Sequence, residues 1–229
     1  MNESHATNQI CVLKTNRKLV AFYDKLRVAA TTNYAQLHAD GEYTENGRKI
    51  RSLIGLTLLD YSNGKGNQTI SVRVNLSPDE VEYIFSRLHA GFPVFEYRQD
   101  KIFGTKDEQG YSQVTKLSIT RNTHDYQGNP LRIPWRIEAE NGKGIAFQNQ
   151  TGGTYMQKNS FQPISKAFLN VTDADMYCLL NRVVRYTHMW ESAIATGLIS
   201  NGKQAYQALL AENAAKQTQA APPNNYYAA

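Results

Sequence analysis

Cysteine is almost missing from this chain: 229 residues contain two, Cys11 and Cys178. Neither stands at a metal-ligand spacing and no disulfide framework can be drawn, so the sequence reads as that of a cytoplasmic protein kept in a reducing compartment. No apolar stretch approaches membrane-spanning length, and no membrane partner is expected. The start, Met1-Asn2-Glu3-Ser4-His5, has no basic region followed by an apolar run, which speaks against an ordinary signal peptide. Catalytic signatures are also missing. The five histidines (His5, His38, His89, His124, His188) form no H-E-x-x-H or related spacing. His124-Asp125 falls in a turn-like stretch and reads as solvated. Thr151-Gly152-Gly153-Thr154 lacks the lysine and the helix of a phosphate loop, and no Gly-x-Ser-x-Gly elbow or dinucleotide fingerprint occurs. The expectation is a binding protein, not an enzyme, without cofactor or metal.

What the chain does have is a globular composition: 41% hydrophobic and 20% charged, with 14 Tyr, 8 Phe and 2 Trp, enough for a core. The net charge of +5 suits an anionic partner without demanding one. The length fits one domain or two intimately packed halves.

Along the chain, Leu19, Phe22, Tyr23, Leu26, Ala30, Tyr34 and Leu37 recur at three- and four-residue steps, which predicts an amphipathic helix from Asn16 to about Asp40-Gly41. Residues 41–51, with Arg48, Lys49 and Arg51, read as a basic loop. The period then becomes two. Residues 53–61 and 68–76 are strands around an Asn63-Gly64-Lys65-Gly66 turn, with Ile70, Val72, Val74 and Leu76 on one face. Ser77-Pro78-Asp79-Glu80 carries the N-cap, first-turn proline and capping-box acid of a helix reaching about His89. Strands are predicted near 94–103, 113–121, 131–139, 144–149, 154–158 and 164–170, with Leu131, Ile133, Trp135, Ile137 and Ala139 alternating. Thr172-Asp173-Ala174-Asp175 opens a second helix, with Met176, Leu179, Leu180, Val183, Tyr186 and Trp190 on its apolar face and Gly197 at its end. A short helix near 203–213 and a disordered tail from Ala214 complete the reading. Residues 1–50 form an N-terminal helix and basic loop, 51–200 one domain of two repeated units, and 201–229 a short helix and tail.

The repeat rests on self-similarity. Asn75-Leu76-Ser77, followed by Glu80, Ile84, Phe85, Arg87 and Leu88, matches Asn170-Val171-Thr172, followed by Asp175, Leu179, Leu180, Arg182 and Val183, at 171 − 76 = 95. The tetrapeptide Asn63-Gly64-Lys65-Gly66 returns as Asn141-Gly142-Lys143-Gly144 at 141 − 63 = 78, and places Leu59 against Ile137. Gln150-Thr151-Gly152-Gly153 supplies the turn of an added hairpin. The fold class expected is α+β: two diverged antiparallel sheet-plus-helix units packed through their helices, with an extra N-terminal helix. Such units leave a sheet face open to an extended ligand.

Cations and rings interleave along the strands, the combination that holds single-stranded nucleic acid. The candidate contacts are Arg73, Lys116, Arg136, Lys143 and Lys158 for phosphates, and Tyr97, Tyr155 and Phe168 for base stacking. Arg73 and Phe168 occupy one repeat position, 168 − 73 = 95. The strand-to-helix phrase Val74-Asn75-Leu76-Ser77-Pro78-Asp79-Glu80 resembles the unit of Whirly and transcriptional positive-cofactor type single-stranded DNA-binding proteins, over roughly residues 50–195. The Whirly strand signature Lys-Gly-Lys-Ala-Ala-Leu has its nearest counterpart in Gly142-Lys143-Gly144-Ile145-Ala146-Phe147. The resemblance implies two halves joined through helices, with sheet faces binding single-stranded DNA independently of sequence. DNA is favoured over RNA, and a homo-oligomer fits. The rival expectation is a structural or protein-interaction module that assembles through its sheet edges.

Overall fold

The segment around Phe22 is a strand. In the computed structural model, which describes residues 7–30, 32–150 and 153–220, β1 (Gln9–Lys14) and β2 (Lys18–Lys25) pair antiparallel, with Val12 opposite Ala21 and Leu13 opposite Val20. Among the described residues, no helix occupies 16–40. Val20, Ala21 and Phe22 are each 0% exposed, so consecutive residues, and hence both faces of the strand, are covered. A strand buried on both sides loses its alternation, and its apolar residues can fall at helical steps by accident. The basic stretch after it is a hairpin, β3 (Asp40–Glu45) and β4 (Arg48–Arg51). Its two-residue turn is Asn46-Gly47, with φ of 51° and 73°, the left-handed pair that a type I′ turn requires.

β5 (Leu53–Asp60) and β6 (Ile70–Leu76) form as expected and complete a first antiparallel sheet of order β1-β2-β5-β6. Its inner face carries Ile54, Leu56, Leu58, Val72, Val74 and Leu76, none more than 2% exposed. Each such side chain stabilises the fold by about 1.5–3 kcal/mol. α1 (Pro78–His89) follows with the predicted capping box: the Glu80 amide donates to Ser77 Oγ at 3.1 Å, and the Ser77 amide to Glu80 Oε2 at 2.6 Å.

The second sheet runs β7 (Val94–Phe103), β8 (Tyr111–Asn122), β9 (Trp135–Gln148), with β11 (Gln162–Val171) on β9 and β10 (Thr154–Met156) on the far end of β9. Two expectations change here. Leu131 and Ile133 precede β9 and are 41% and 49% exposed, so the alternation becomes structural only at Trp135. Asn141-Gly142-Lys143-Gly144 is not a turn but the middle of one continuous strand. Gly64 and Gly66 take positive φ, as a turn needs, whereas Gly142 and Gly144 serve close packing. A Cβ on Gly142 would stand 2.6 Å from the Phe161 ring, and one on Gly144 2.9 Å from Met156. The register moves the internal alignment as well. Val74 faces Leu56 and Leu169 faces Ile137, so β6 and β11 keep the offset 169 − 74 = 95 while their neighbours are related by 137 − 56 = 81. By register, Ile137 aligns with Leu56 and not with Leu59.

α2 (Asp173–Ala220) begins at the predicted cap, where the Asp175 amide donates to Thr172 Oγ1 at 3.1 Å. It does not end at Gly197. The expected short helix and the first part of the expected tail belong to the same 48-residue helix, about 72 Å at 1.5 Å per residue. Alanine, leucine, glutamine and lysine dominate beyond Gly202, and all favour helix. Residues 221–229, with Tyr226-Tyr227, lie outside the described residues.

The chain divides into two compact units, Met1–Lys25 with Leu53–Thr187, and Leu26–Ser52 with His188–Ala229. In the first, Asp173 accepts from Trp135 Nε1 at 2.6 Å and from Arg121 Nε at 3.0 Å, while Tyr186 donates to Asp24 at 2.8 Å. Tyr177 of α2 meets Phe85 and His89 of α1, with ring centroids 5.9 and 5.6 Å apart. Cys11 is buried, its thiol pushed up to about 11 by that burial, while Cys178 is exposed. In the second unit His38 stacks on Trp190 at 4.9 Å and lies between Ser52 Oγ (2.7 Å) and Glu191 Oε1 (2.9 Å). Among the described residues, no helix is long and apolar enough to cross a membrane.

Candidate nucleic-acid interface

Strand alternation gives each sheet a face opposite its apolar one, and the two faces differ in charge. On the first sheet the cross-strand rows are Val12, Ala21, Thr57 and Arg73, then Tyr23, Gly55 and Asn75, with Lys14 beside Leu19 and Lys25 beside Leu53. Lys14, Lys25, Ser71 and Arg73 are exposed and Tyr23, Leu59 and Asn75 half-buried, around a buried middle of Leu19, Ala21, Gly55 and Thr57. No carboxylate stands at any of these positions. The nearest acids along the strands point the other way: Asp60 pairs with Lys18 at 3.1 Å, and Asp24 accepts from Tyr186. Lys25 Nζ donates to Asn75 Oδ1 at 2.9 Å, lying over Gly55, where a Cβ would come 3.0 Å from Lys25 Cε. Partial burial lowers the Lys25 pKa, and the neighbouring Arg73 guanidinium lowers it further. Two like charges are held together with no anion between them.

The second sheet is different. Its outward rows are Glu96, Thr120, Arg136 and Asn170; Arg98, Ser118, Glu138 and Phe168; and Asp100, Lys116, Glu140 and Lys166. Every cation in these rows has a carboxylate. Arg98 pairs with Glu96 at 2.6 Å, Arg136 with Glu138 at 2.5 Å, and Lys116 with Asp100 at 3.9 Å. Lys166 pairs with both Glu138 and Glu140, at 2.6 and 2.5 Å. Burial pushes the Glu138 carboxyl up, but hydrogen bonds from Lys166 and Arg136 bring it net below its usual range. The short Ser118 leaves a shallow depression of about 430 Å³ between Arg98, Lys116, Glu138 and Glu140.

The residues singled out from the sequence therefore occupy several places. Arg73 is on the first sheet, exposed and without an ion pair among the described residues. Lys116, Arg136 and Phe168 share the outward face of the second. There Lys116 also lies 4.0 Å from the Phe161 ring centroid, and Phe168 has both Lys18 (3.4 Å) and Arg136 (3.7 Å) over its ring. Tyr97 lies in the row of Ile119 and Ile137, facing inward; its hydroxyl accepts from Gln99 at 3.1 Å, and burial, then Glu80, raises its pKa. Lys143 is in mid-β9, bonded to Asp107 at 2.7 Å. Tyr155 is about half exposed and pairs across the β9–β10 hairpin with Phe147, centroids 5.2 Å apart, with exposed Lys158 just beyond. Tyr23 and Lys25 were missed as site residues because β2 reads in the sequence as helix, and Lys14 because no strand is assigned before it; the strand pairing puts all three on the face of Arg73. No cluster of three metal-ligating side chains occurs among the described residues.

No protein-family model and no curated protein matches the sequence. Among solved structures the chain is similar to the structure of the plant transcriptional regulator PBF-2, at 13% identity over 80% of this chain and 92% of that one, with a TM-score of 0.40.

Proposed function

We propose that this chain is a non-enzymatic protein that binds single-stranded nucleic acid, DNA before RNA, without sequence preference. The reading rests on one observation: the outward face of the first sheet carries Lys14, Lys25, Arg73 and Tyr23 with no acid among them. Lys25 and Arg73, crowded without a counter-charge, gain most from a phosphate between them. The part of the Tyr23 ring left uncovered offers a surface on which a base can stack. On this reading Tyr155 and Lys158 extend the contact on the β9–β10 hairpin, while Lys116, Arg136 and Lys143 contribute only after giving up a carboxylate. We also read the two sheet-plus-helix segments as diverged copies of one unit, since the 95- and 81-residue offsets carry inner-face residues onto inner-face residues.

Fluorescence polarisation with single-stranded DNA, duplex DNA and RNA over a range of salt tests the proposal. Log K should fall linearly with log salt, and Lys25→Gln and Arg73→Gln should each flatten the slope by about 0.7, the value for one lost phosphate contact on a single strand. Salt-independent binding, or equal affinity for duplex, defeats it. A second reading, assembly of copies through sheet edges, is favoured by β7, ten residues long, which pairs only with β8 among the described residues. It predicts association that Pro in place of Arg98 weakens, with no effect of salt on oligonucleotide binding.

A further inference from the structure

The two outward sheet faces hold similar numbers of cations, yet only one leaves them uncompensated. We propose that Glu96, Asp100, Glu138 and Glu140 are specificity-determining residues that deny the second sheet to a polyanion and confine the strand to the first. This rests on the functional reading above.

The second face carries Arg98, Lys116, Arg136 and Lys166 against those four carboxylates, a formal sum of zero. Binding of a nucleic-acid backbone is driven by cations that release condensed counterions as they meet phosphate. A cation already bonded to a tethered carboxylate at 2.5–2.6 Å, as Arg136 and Lys166 are, must break that contact first, and the freed carboxylate then repels the incoming phosphate. Glu138 is the centre of the arrangement. It holds Arg136 and Lys166 together, and with Glu140 it lines the depression above Ser118. Phe168 is withdrawn in the same way, because Lys18 and Arg136 already lie over its ring. On the first sheet, Lys14, Lys25 and Arg73 make no ion pair among the described residues, so a phosphate there competes with no carboxylate, only with water, loosely held ions and the Lys25–Asn75 hydrogen bond.

The test is to neutralise the carboxylates while keeping their shape. Glu138→Gln with Glu140→Gln changes the face from zero to +2. The paired variant should bind a second short oligo-dT per chain, and for the longer oligonucleotide its salt slope should steepen by about 1.4, two single-strand contacts. Glu45→Gln with Glu212→Gln makes the same charge change outside both sheets and should leave the stoichiometry at one. Should the Glu138 and Glu140 changes unfold the chain, Glu96→Gln with Asp100→Asn serves instead, because these side chains are 49% and 55% exposed. It should give the same second site more weakly. A folded variant with unchanged stoichiometry and slope overturns the inference, as does a gain matched by the control pair. If the unaltered chain binds no oligonucleotide, the functional reading falls and this one with it. If it binds and loses affinity on Lys25→Gln while the carboxylate variants gain nothing, only the present inference falls.

Discussion

Gly197→Ala gives a sharp test of the long helix. Gly197 lies inside α2, is exposed, and has no atom within 4 Å of where a Cβ would stand. Glycine in a helix interior is less favourable than alanine by about 1 kcal/mol, because it surrenders more backbone freedom on ordering. With nothing nearby to be strained, most of that difference should be recovered. The substitution should raise the ellipticity at 222 nm slightly and slow amide exchange in the surrounding turns by roughly fivefold, the factor that about 1 kcal/mol represents. The opposite sign would be decisive. Had the helix stopped at Gly197, the glycine would sit just past the last turn in the left-handed region, where a Cβ costs about 1 kcal/mol or more. Faster exchange and lost helicity would therefore refute the continuous helix.

Gly142→Ala should do the reverse in β9, lowering stability by about 1–3 kcal/mol in urea titrations, because the new methyl runs into the Phe161 ring and the Gln162 carbonyl. Phe168→Leu keeps an apolar side chain but removes the ring under Lys18 and Arg136; a loss of about 1–2 kcal/mol is expected, with unchanged affinity for oligonucleotide. Asp173 is held below the usual 3.8 by its hydrogen bond from Arg121, with burial opposing and Trp135 adding to the effect. Its folded pKa is thus below its unfolded one. The contribution to stability is complete above the unfolded value and fades as pH falls through the folded one. Thermal melts from about pH 5 down to about pH 2 should show this loss, and Asp173→Asn should flatten it.

Where local chemistry decides, the sequence was readable. β6 alternates because one side is covered, and α1 begins where Ser77 and Glu80 can satisfy each other's amides. The difficulty arose where distant parts of the chain decide. Nothing local says that Ala21 is covered on the face opposite Val20 and Phe22, so the pattern of β2 mimics a helix. Glycine at 142 and 144 answers to Phe161 and Met156, many residues later, and so imitates a turn. The surroundings of the candidate site residues divide in the same way. Arg136 and Lys116 are visible as cations in any reading, but their carboxylates become neighbours only through the β7-β8-β9-β11 register. Arg73 stood out correctly as an outward cation, while its companion Lys25 arrives from a strand almost fifty residues earlier.

The two thiols keep different time. Cys178 is open to any alkylating reagent, whereas Cys11 sits opposite Phe22 with its Sγ 3.6 Å from the Leu179 carbonyl oxygen, and its raised pKa leaves almost no thiolate at neutral pH. Cys11 reacts only when β1, at the edge of its sheet, lifts away from Leu179 of α2, against which its thiol lies. With Cys178 blocked beforehand, the slow rate at Cys11 divided by that of an unstructured thiol gives the opening equilibrium of that edge strand, with no probe added to the chain. Repeating the measurement with oligonucleotide present would report how firmly a ligand on the Lys14 and Tyr23 side clamps the strand shut.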